Sequence, residues 1–93
     1  MPFRLLYHPA VATDDLPRLD AKARARIRKA ILSRLTSEPE KYGKPLRFTL
    51  AGLWSLRVGD WRVIYHVAGD EGWILKIGHR RDVYREPRKR FPL

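Results

Sequence analysis

With 93 residues and 44% hydrophobic side chains, the chain has room for one domain with a modest core and is too apolar to be disordered. Twenty Lys and Arg residues against ten Asp and Glu residues leave a net charge of +10 at pH 7. No cysteine is present to form a disulfide, and no stretch approaches the roughly 20 apolar residues that a membrane-spanning helix needs.

The first half of the chain predicts a strand followed by helices. Residues 3–7 read as a short strand ended by a His-Pro pair, and a short, loose helix is expected from Ala10 to Leu19. Asp20 is a typical N-cap residue before a run of good helix formers, and Pro39 ends the predicted helix. The apolar residues of this helix recur at helical spacing and form one stripe: Ala23, Ile27, Ala30, Ile31 and Leu35.

The second half changes to the alternating period of strands. Residues 45–50 alternate, which predicts a strand with Leu46, Phe48 and Leu50 on one face. The segments 54–58 and 61–67 also alternate, and Gly59-Asp60 between them is a two-residue hairpin signal. A Gly-rich turn then leads to a last strand near residues 73–78.

These periods predict an α+β fold, in which an N-terminal strand and a helical hairpin accompany an antiparallel sheet meander. Packing the apolar helix stripe on the sheet buries surfaces that neither layer could bury alone. The basic, proline-broken tail, residues 85–93, is expected to lie loosely on the surface. The start of the chain does not resemble a signal peptide, so we expect a cytoplasmic protein.

The positive charge predicts a polyanionic partner, because a compact domain with this surplus attracts polyanions at long range. A nucleic acid, an anionic membrane surface and an acidic protein would all be attracted by this charge. Arginine greatly outnumbers lysine, which favours planar, bidentate contacts with phosphate. We therefore favour a nucleic acid or a nucleoprotein, although a codon preference for arginine would give the same composition.

Two motifs carry a family resemblance: GLWSLRVGDWRVIY (residues 52–65) and ILKIGHRRDVY (residues 74–84). The first is similar to the central hairpin, and the second to the last strand and its exit, of the RelE/ParE toxin superfamily of type II toxin–antitoxin systems. Leu16-Pro17 and Gly43-Lys44-Pro45-Leu46 match the upstream pattern, so the resemblance covers nearly the whole chain. It implies one toxin domain over residues 1–93, a RelE-like, microribonuclease-type fold and a cognate antitoxin partner in a hetero-oligomer. The charge of the chain predicts that this antitoxin is acidic.

The resemblance also implies one of two activities. RelE-type members are endoribonucleases that cut mRNA on the ribosome and so inhibit translation; ParE-type members inhibit DNA gyrase and are not nucleases. We interpret this chain as a RelE-type mRNA interferase that uses attack by the ribose 2′-OH and needs neither a metal nor a cofactor. A ParE-type gyrase inhibitor and an inactive, antitoxin-binding remnant remain the alternatives.

Several candidate catalytic residues follow from the resemblance. Arg62 stands at the matching arginine of the return strand, and either Arg80 or Arg81 at the arginine after the last strand. Tyr84 matches a tyrosine that orients or stacks on the nucleotide. The positive charges of the arginines would stabilise the negative charge on the phosphate in the transition state. In any basic protein, however, the default expectation is that arginines beside strands are exposed to solvent and have no functional role.

The chain departs from the family pattern at the expected general base. Leu53 and Ser55 stand where a well-known relative has two lysines. His79 is the nearby residue whose unperturbed pKa of about 6.5 suits proton transfer, so we hypothesise that it partly substitutes for them. Further basic residues on or beside the predicted strands are expected to contact RNA: Lys44, Arg47, Arg57 and Lys76. The aspartates have no partners at metal-binding spacing, so no metal site is expected.

Overall fold

The computed structural model describes residues 4–85 and 87–90. Phe3 of the predicted first strand, and residues 86 and 91–93 of the predicted tail, lie outside this part. The described chain is α+β, as predicted, with a five-stranded sheet in the order β1-β5-β4-β3-β2. Its elements in chain order are β1 (Arg4–Tyr7), two helical turns (Val11–Asp15 and Leu16–Arg18), α1 (Ala21–Ala30) continued by a wider helical turn (Ile31–Leu35), α2 (Pro39–Tyr42), β2 (Lys44–Pro45), a 3-10 turn (Phe48–Leu50), β3 (Trp54–Val58), β4 (Trp61–Ala68), β5 (Glu71–His79) and a second 3-10 turn (Pro87–Arg90).

Helix α1 begins and packs as its sequence predicts. The Asp20 carboxylate accepts a hydrogen bond of 2.7 Å from the backbone N–H of Ala23, so the predicted N-cap is confirmed. Four members of the predicted apolar stripe are buried: Ala23, Ile27, Ile31 and Leu35. The fifth, Ala30, is partly buried and packs beside them. The stripe faces the sheet, and the arginines of the helix lie on its exposed surface.

The predicted meander is confirmed for the last three strands. β3 and β4 form an antiparallel hairpin across Gly59-Asp60, and Gly59 has the positive φ (62°) that this turn requires. β4 pairs with β5 antiparallel, whereas β1 joins the far side of β5 as a parallel strand. The sequence could not reveal this parallel pair, because no hairpin turn connects its two strands.

Strand β4 is buried on both faces. Val63 and Tyr65 point to the helices and join a larger apolar cluster that contains the helix stripe. Ile64 points the other way into a smaller cluster, which it forms with Leu53, Leu75 and Val83. The register with β5 shifts between Ile64 and Tyr65, so that one residue of β5, Leu75, is left between their partners. This bulge allows Leu75 to join Ile64 in the smaller cluster.

The predicted strand over residues 45–50 is wrong. Only Lys44–Pro45 pairs with β3, and Phe48–Leu50 forms a 3-10 turn. Phe48 adopts a positive φ of 57° and is 91% exposed, although the alternation placed it on an apolar face. Bonds within the loop replace a strand ladder: the N–H of Leu46 donates to the Leu53 carbonyl, and that of Leu53 to the Leu50 carbonyl. Both Leu46 and Leu50 thereby reach the smaller apolar cluster from a loop.

Arg90 departs from the expectation of a loose tail. Its guanidinium donates to the Asp15 carboxylate at 2.7 and 3.1 Å and to the Leu75 carbonyl at 2.9 Å. Asp15 is buried, and its carboxylate also accepts from the backbone N–H of Ile77 at 2.9 Å. A buried carboxylate requires such partners, because leaving it unpaired costs several kcal/mol. The ion pair thus ties the last described turn to β5 and to the first helical segment.

A second buried contact fixes the path from α2 into the sheet. The fully buried Tyr65 hydroxyl donates to the Pro39 carbonyl, which also accepts from the Gly43 N–H at 3.2 Å. A Cβ atom added to Gly43 would lie 1.5 Å from this hydroxyl oxygen. Position 43 therefore requires glycine for space, since its φ of −90° is open to any residue. Burial raises the pKa of the Tyr65 phenol, which keeps it neutral and able to donate.

We expect Arg90→Gln to lower the free energy of unfolding by roughly 3 kcal/mol, because it leaves Asp15 buried without its cation. Urea denaturation would measure the loss. Arg24→Gln removes the same charge from the exposed side of α1 and should change stability by less than about 0.5 kcal/mol. Equal stabilities of the two variants would contradict the proposed role of the ion pair.

We expect Gly43→Ala to destabilise the protein by roughly 2 kcal/mol or more, because the added methyl group cannot coexist with the Tyr65 hydroxyl. Gly78→Ala is the matched control, since a Cβ there would meet Val83 at an ordinary 3.5 Å. Thermal denaturation of both variants would compare them. A Gly43→Ala protein as stable as Gly78→Ala would show that Tyr65 is not held against this backbone.

Candidate functional site

A cavity of about 290 Å³ opens on the sheet face opposite the helices. Its lining residues are Lys44, Leu46, Ser55, Arg57, Arg62 and Tyr84. The strand pairing explains this convergence, because residues directly opposite each other in neighbouring strands share a face. Lys44 of β2 lies opposite Ser55 of β3, and Arg57 of β3 lies opposite Arg62 of β4. Three short strands thus place three cations around one cavity.

Tyr84 reaches the cavity from the turn after β5. The N–H groups of Asp82 and Val83 both donate to the His79 carbonyl at 2.9 Å, which turns the chain back over the sheet. Val83 is then buried in the smaller apolar cluster. The Tyr84 hydroxyl lies 3.1 Å from the Ser55 Oγ, and its side chain remains 40% exposed. The hydroxyl of Tyr84 is therefore anchored while the residue stays partly accessible.

The cavity is strongly positive. Among the described residues no carboxylate lines it, and Arg57 and Arg62 lie directly opposite each other in the hairpin, an arrangement that destabilises a sheet. One terminal nitrogen of Arg62 donates to the carbonyls of Gly59 and Trp61 at 2.8 and 2.9 Å, which fixes the guanidinium beside the turn. Such preorganised cations suit an anionic occupant such as a phosphate.

His79 does not join this cavity. It lies opposite Trp61 in the sheet, and the two rings meet edge to face with centroids 5.6 Å apart. Trp61 packs against the larger, helix-side cluster, so His79 lies on the opposite face of the sheet from Arg62. The Nδ1 atom of His79 accepts from the Arg81 N–H at 3.2 Å. The hypothesis that His79 replaces the missing lysine therefore lacks the contact that it requires.

Four other candidates also lie away from the cavity lining. The backbone N–H of Arg80 donates to the Asp60 carbonyl, and its side chain lies 3.7 Å from the Asp60 carboxylate at the hairpin turn. The remaining three are Arg81, which is exposed after β5, Arg47, which precedes the 3-10 turn, and Lys76, whose Nζ donates to the Arg85 carbonyl.

Sequence reasoning missed the role of Ser55. It was noted only as the place of an absent lysine, yet its hydroxyl is the partner of Tyr84. Its alternation with the buried Leu56 placed it on the correct face, but no local pattern connects it with a residue 29 positions away. Within residues 4–85 and 87–90 there is also no group of three or more acidic or histidine side chains arranged to hold a metal ion. The same residues contain no helix that is long and apolar enough to cross a membrane.

Comparison with known families decides the class of the protein. Residues 3–84 match the family model described as the ParE toxin of the type II toxin–antitoxin system parDE. The chain belongs to the RelE/ParE toxin superfamily. It is 34% identical over 87 residues to the toxin RelG of Mycobacterium tuberculosis, covering 91% of this chain and 99% of the relative. It is 40% identical over 86 residues to the toxin RelE of the same organism, covering 85% and 87%.

The fold agrees with this assignment. The structure is similar to that of the toxin–antitoxin complex RelBE2 from Mycobacterium tuberculosis, with a TM-score of 0.79 and 30% identity over 86% of this chain and all of the matched chain. The expected RelE-like α+β fold is thus confirmed, and the protein is a toxin of the type II toxin–antitoxin class.

We expect Ser55 and Tyr84 to stabilise the fold jointly. Ser55→Ala and Tyr84→Phe should each lower the free energy of unfolding by about 1 kcal/mol. The double variant should lose less than the sum of the two, because both substitutions remove the same hydrogen bond. Urea denaturation of the four proteins completes the cycle. Ser33→Ala, on the exposed side of the helix, should add independently to Tyr84→Phe. Full additivity of Ser55→Ala and Tyr84→Phe would contradict the contact.

Proposed function

We propose that this toxin is a ribosome-dependent mRNA endonuclease and that the cavity around Arg62 is its active site. The observation that carries the proposal is the convergence of Lys44, Arg57 and Arg62 with an anchored, partly exposed Tyr84. The relatives named RelE and RelG are toxins of the same family, which supports a common activity. Its action on ribosomes would place the protein in the cytoplasm.

The arginines fit the electrostatic part of RNA cleavage. When the ribose 2′-OH attacks the adjacent phosphate, a bond forms between the 2′-oxygen and phosphorus while the bond from phosphorus to the 5′-oxygen of the next nucleotide breaks, and negative charge builds up on the non-bridging oxygens. The 2′-OH gives its proton to a base, and the departing 5′-oxygen takes up a proton. Arg57 and Arg62 lie on adjacent strands, where two guanidinium groups can bind these oxygens through charge-assisted hydrogen bonds. Because hydrogen bonds to the Gly59 and Trp61 carbonyls already fix the guanidinium of Arg62, this group needs to move little during the reaction.

Lys44 is the best-placed group in the cavity to accept the 2′-OH proton. It lies directly opposite Ser55, one of the two positions where the family lysines are absent, so it carries an amine to that region from the neighbouring strand. Arginine is a poor base because it keeps its proton below about pH 12, whereas a lysine amine can serve as a general base. We therefore assign proton transfer to Lys44 instead of His79.

Tyr84 offers a surface for the reacting nucleotide. Its hydroxyl is held by Ser55, and its exposed ring suits stacking on a base. The same cationic cavity suits an acidic partner. RelBE2 was solved as a toxin–antitoxin complex, and the charge of +10 favours an acidic antitoxin that covers this face. We propose a hetero-oligomer in which antitoxin binding blocks access to Arg62 and Tyr84.

Primer extension on a defined mRNA, in a purified bacterial translation system, tests the proposal. Wild-type protein should produce cuts at ribosome-occupied codons, and Arg62→Ala should reduce cutting by about 100-fold or more, because it removes a donor from the developing charge. Arg24→Ala, on the exposed side of α1, is the control and should cut normally. An intact message with folded protein and inhibited gyrase supercoiling would instead support a ParE-type function.

The proton-transfer assignment has its own test in the same assay. Lys44→Arg keeps the charge but replaces the amine by a guanidinium, which is a poor base, so cutting should fall by about 100-fold. His79→Gln should cut at nearly the wild-type rate, because His79 lies across the sheet. A slow His79→Gln variant together with a fully active Lys44→Arg variant would reverse the assignment.

A further inference from the structure

A second, larger basic concavity lies between α1 and the β3–β4 hairpin. It has a volume of about 660 Å³, and we call it the helix–hairpin groove. Its charged and aromatic lining residues are Arg26, Lys29, Arg34, Tyr42 and Arg57. The catalytic proposal uses only one of them, Arg57.

The cations of the groove have no carboxylate partners in the part of the chain that the structure describes. None of its four basic residues forms an ion pair with a carboxylate among residues 4–85 and 87–90, and no carboxylate lines the groove. Elsewhere in the chain, basic side chains such as Arg4 and Arg90 are paired with carboxylates. Gathering four like charges costs repulsion, which a polyanion in the groove would offset.

The two walls of the groove are well defined. Arg26 and Lys29 follow each other at i, i+3 and face the hairpin on one side of α1. The guanidinium of Arg26 lies against Gly59, since a Cβ atom added there would be 2.7 Å from one of its nitrogens. Tyr42, at the end of α2, lies in the lining with 48% of its side chain exposed.

Arg57 connects the groove with the cavity on the other face of the sheet. β2 pairs with β3 only at Trp54 and Ser55, so Arg57 lies beyond the end of β2 on an open sheet edge. Its side chain lines both concavities. Positive charge therefore continues from Arg62, around the edge at Arg57, to Arg26 and Lys29.

We propose that the helix–hairpin groove binds the phosphodiester backbone of the same single RNA strand whose reacting nucleotide occupies the cavity. The inference rests on the proposed function and adds a subsite for flanking nucleotides. Arg57 contacts the strand where it turns around the sheet edge, and Tyr42 stacks on a flanking base. An acidic protein helix would need apolar pockets for its anchors, and besides Tyr42 the described lining of the groove offers only Ala30 and Val58 as apolar side chains.

Fluorescence anisotropy with labelled, non-cleavable 2′-O-methyl RNA tests the proposal without ribosomes. The probes are single strands of about 4 and about 12 nucleotides, the range that one small binding module covers. Wild-type protein should bind the longer strand more tightly. Arg26→Gln with Lys29→Gln should remove most of this advantage and flatten the plot of log affinity against log salt by roughly 1.4, about 0.7 for each lost phosphate contact.

A matched control separates the groove from general charge. Arg24→Gln with Arg28→Gln removes the same charge from the same helix, and both residues lie outside the lining of the groove. This pair should leave the advantage of the longer strand intact. Equal weakening by both pairs overturns the proposal, as does unchanged RNA binding with weakened binding of an acidic antitoxin. If the first pair fails to fold, as judged by circular dichroism, Lys29→Gln with Arg34→Gln gives the same test.

The subsite and the endonuclease activity can fail separately in these experiments. Groove-dependent RNA binding together with an uncut message would retain the subsite and reject the endonuclease. Cleavage that requires Arg62, together with RNA binding that ignores Arg26 and Lys29, would retain the endonuclease and reject the subsite.

Discussion

The burial of both faces of β4 is the constraint on which the rest of the structure depends. The helices cover only one face, where Val63 and Tyr65 join the larger cluster. On the other face only Ile64 of this strand is fully covered, by a loop and by Val83 after β5. Because so small a cover cannot extend over the whole sheet, the hairpin end of that face stays open, and the candidate cavity forms there.

The clustering of cations carries a cost in stability. Arg57 and Arg62 oppose each other on adjacent strands, and the groove adds Arg26, Lys29 and Arg34 without carboxylate partners among the described residues. A protein selected for stability alone would intersperse acidic residues among these cations. Folding can tolerate the repulsion because most of these groups remain in solvent, where screening limits its cost.

The candidate site was only partly predictable. Strand alternation and the hairpin signal placed Ser55, Arg57 and Arg62 on one face, since both depend on local geometry. Tyr84 was identified by resemblance, but its contact with Ser55 depends on the turn after β5. His79 lies outside the cavity because the pairing register, which its own sequence does not reveal, places it beside Trp61.

The sequence by itself determined the α+β class, helix α1 with its cap, the β3–β4 hairpin and the positive charge, because each depends on side chains near one another in the chain or on composition alone. Only the tertiary structure decided the parallel pairing of β1, the loop that replaced the expected strand around Phe48, and the burial of Asp15 against Arg90. These features arise between segments far apart in sequence, where the free energy of packing and of satisfying buried polar groups outweighs local preference.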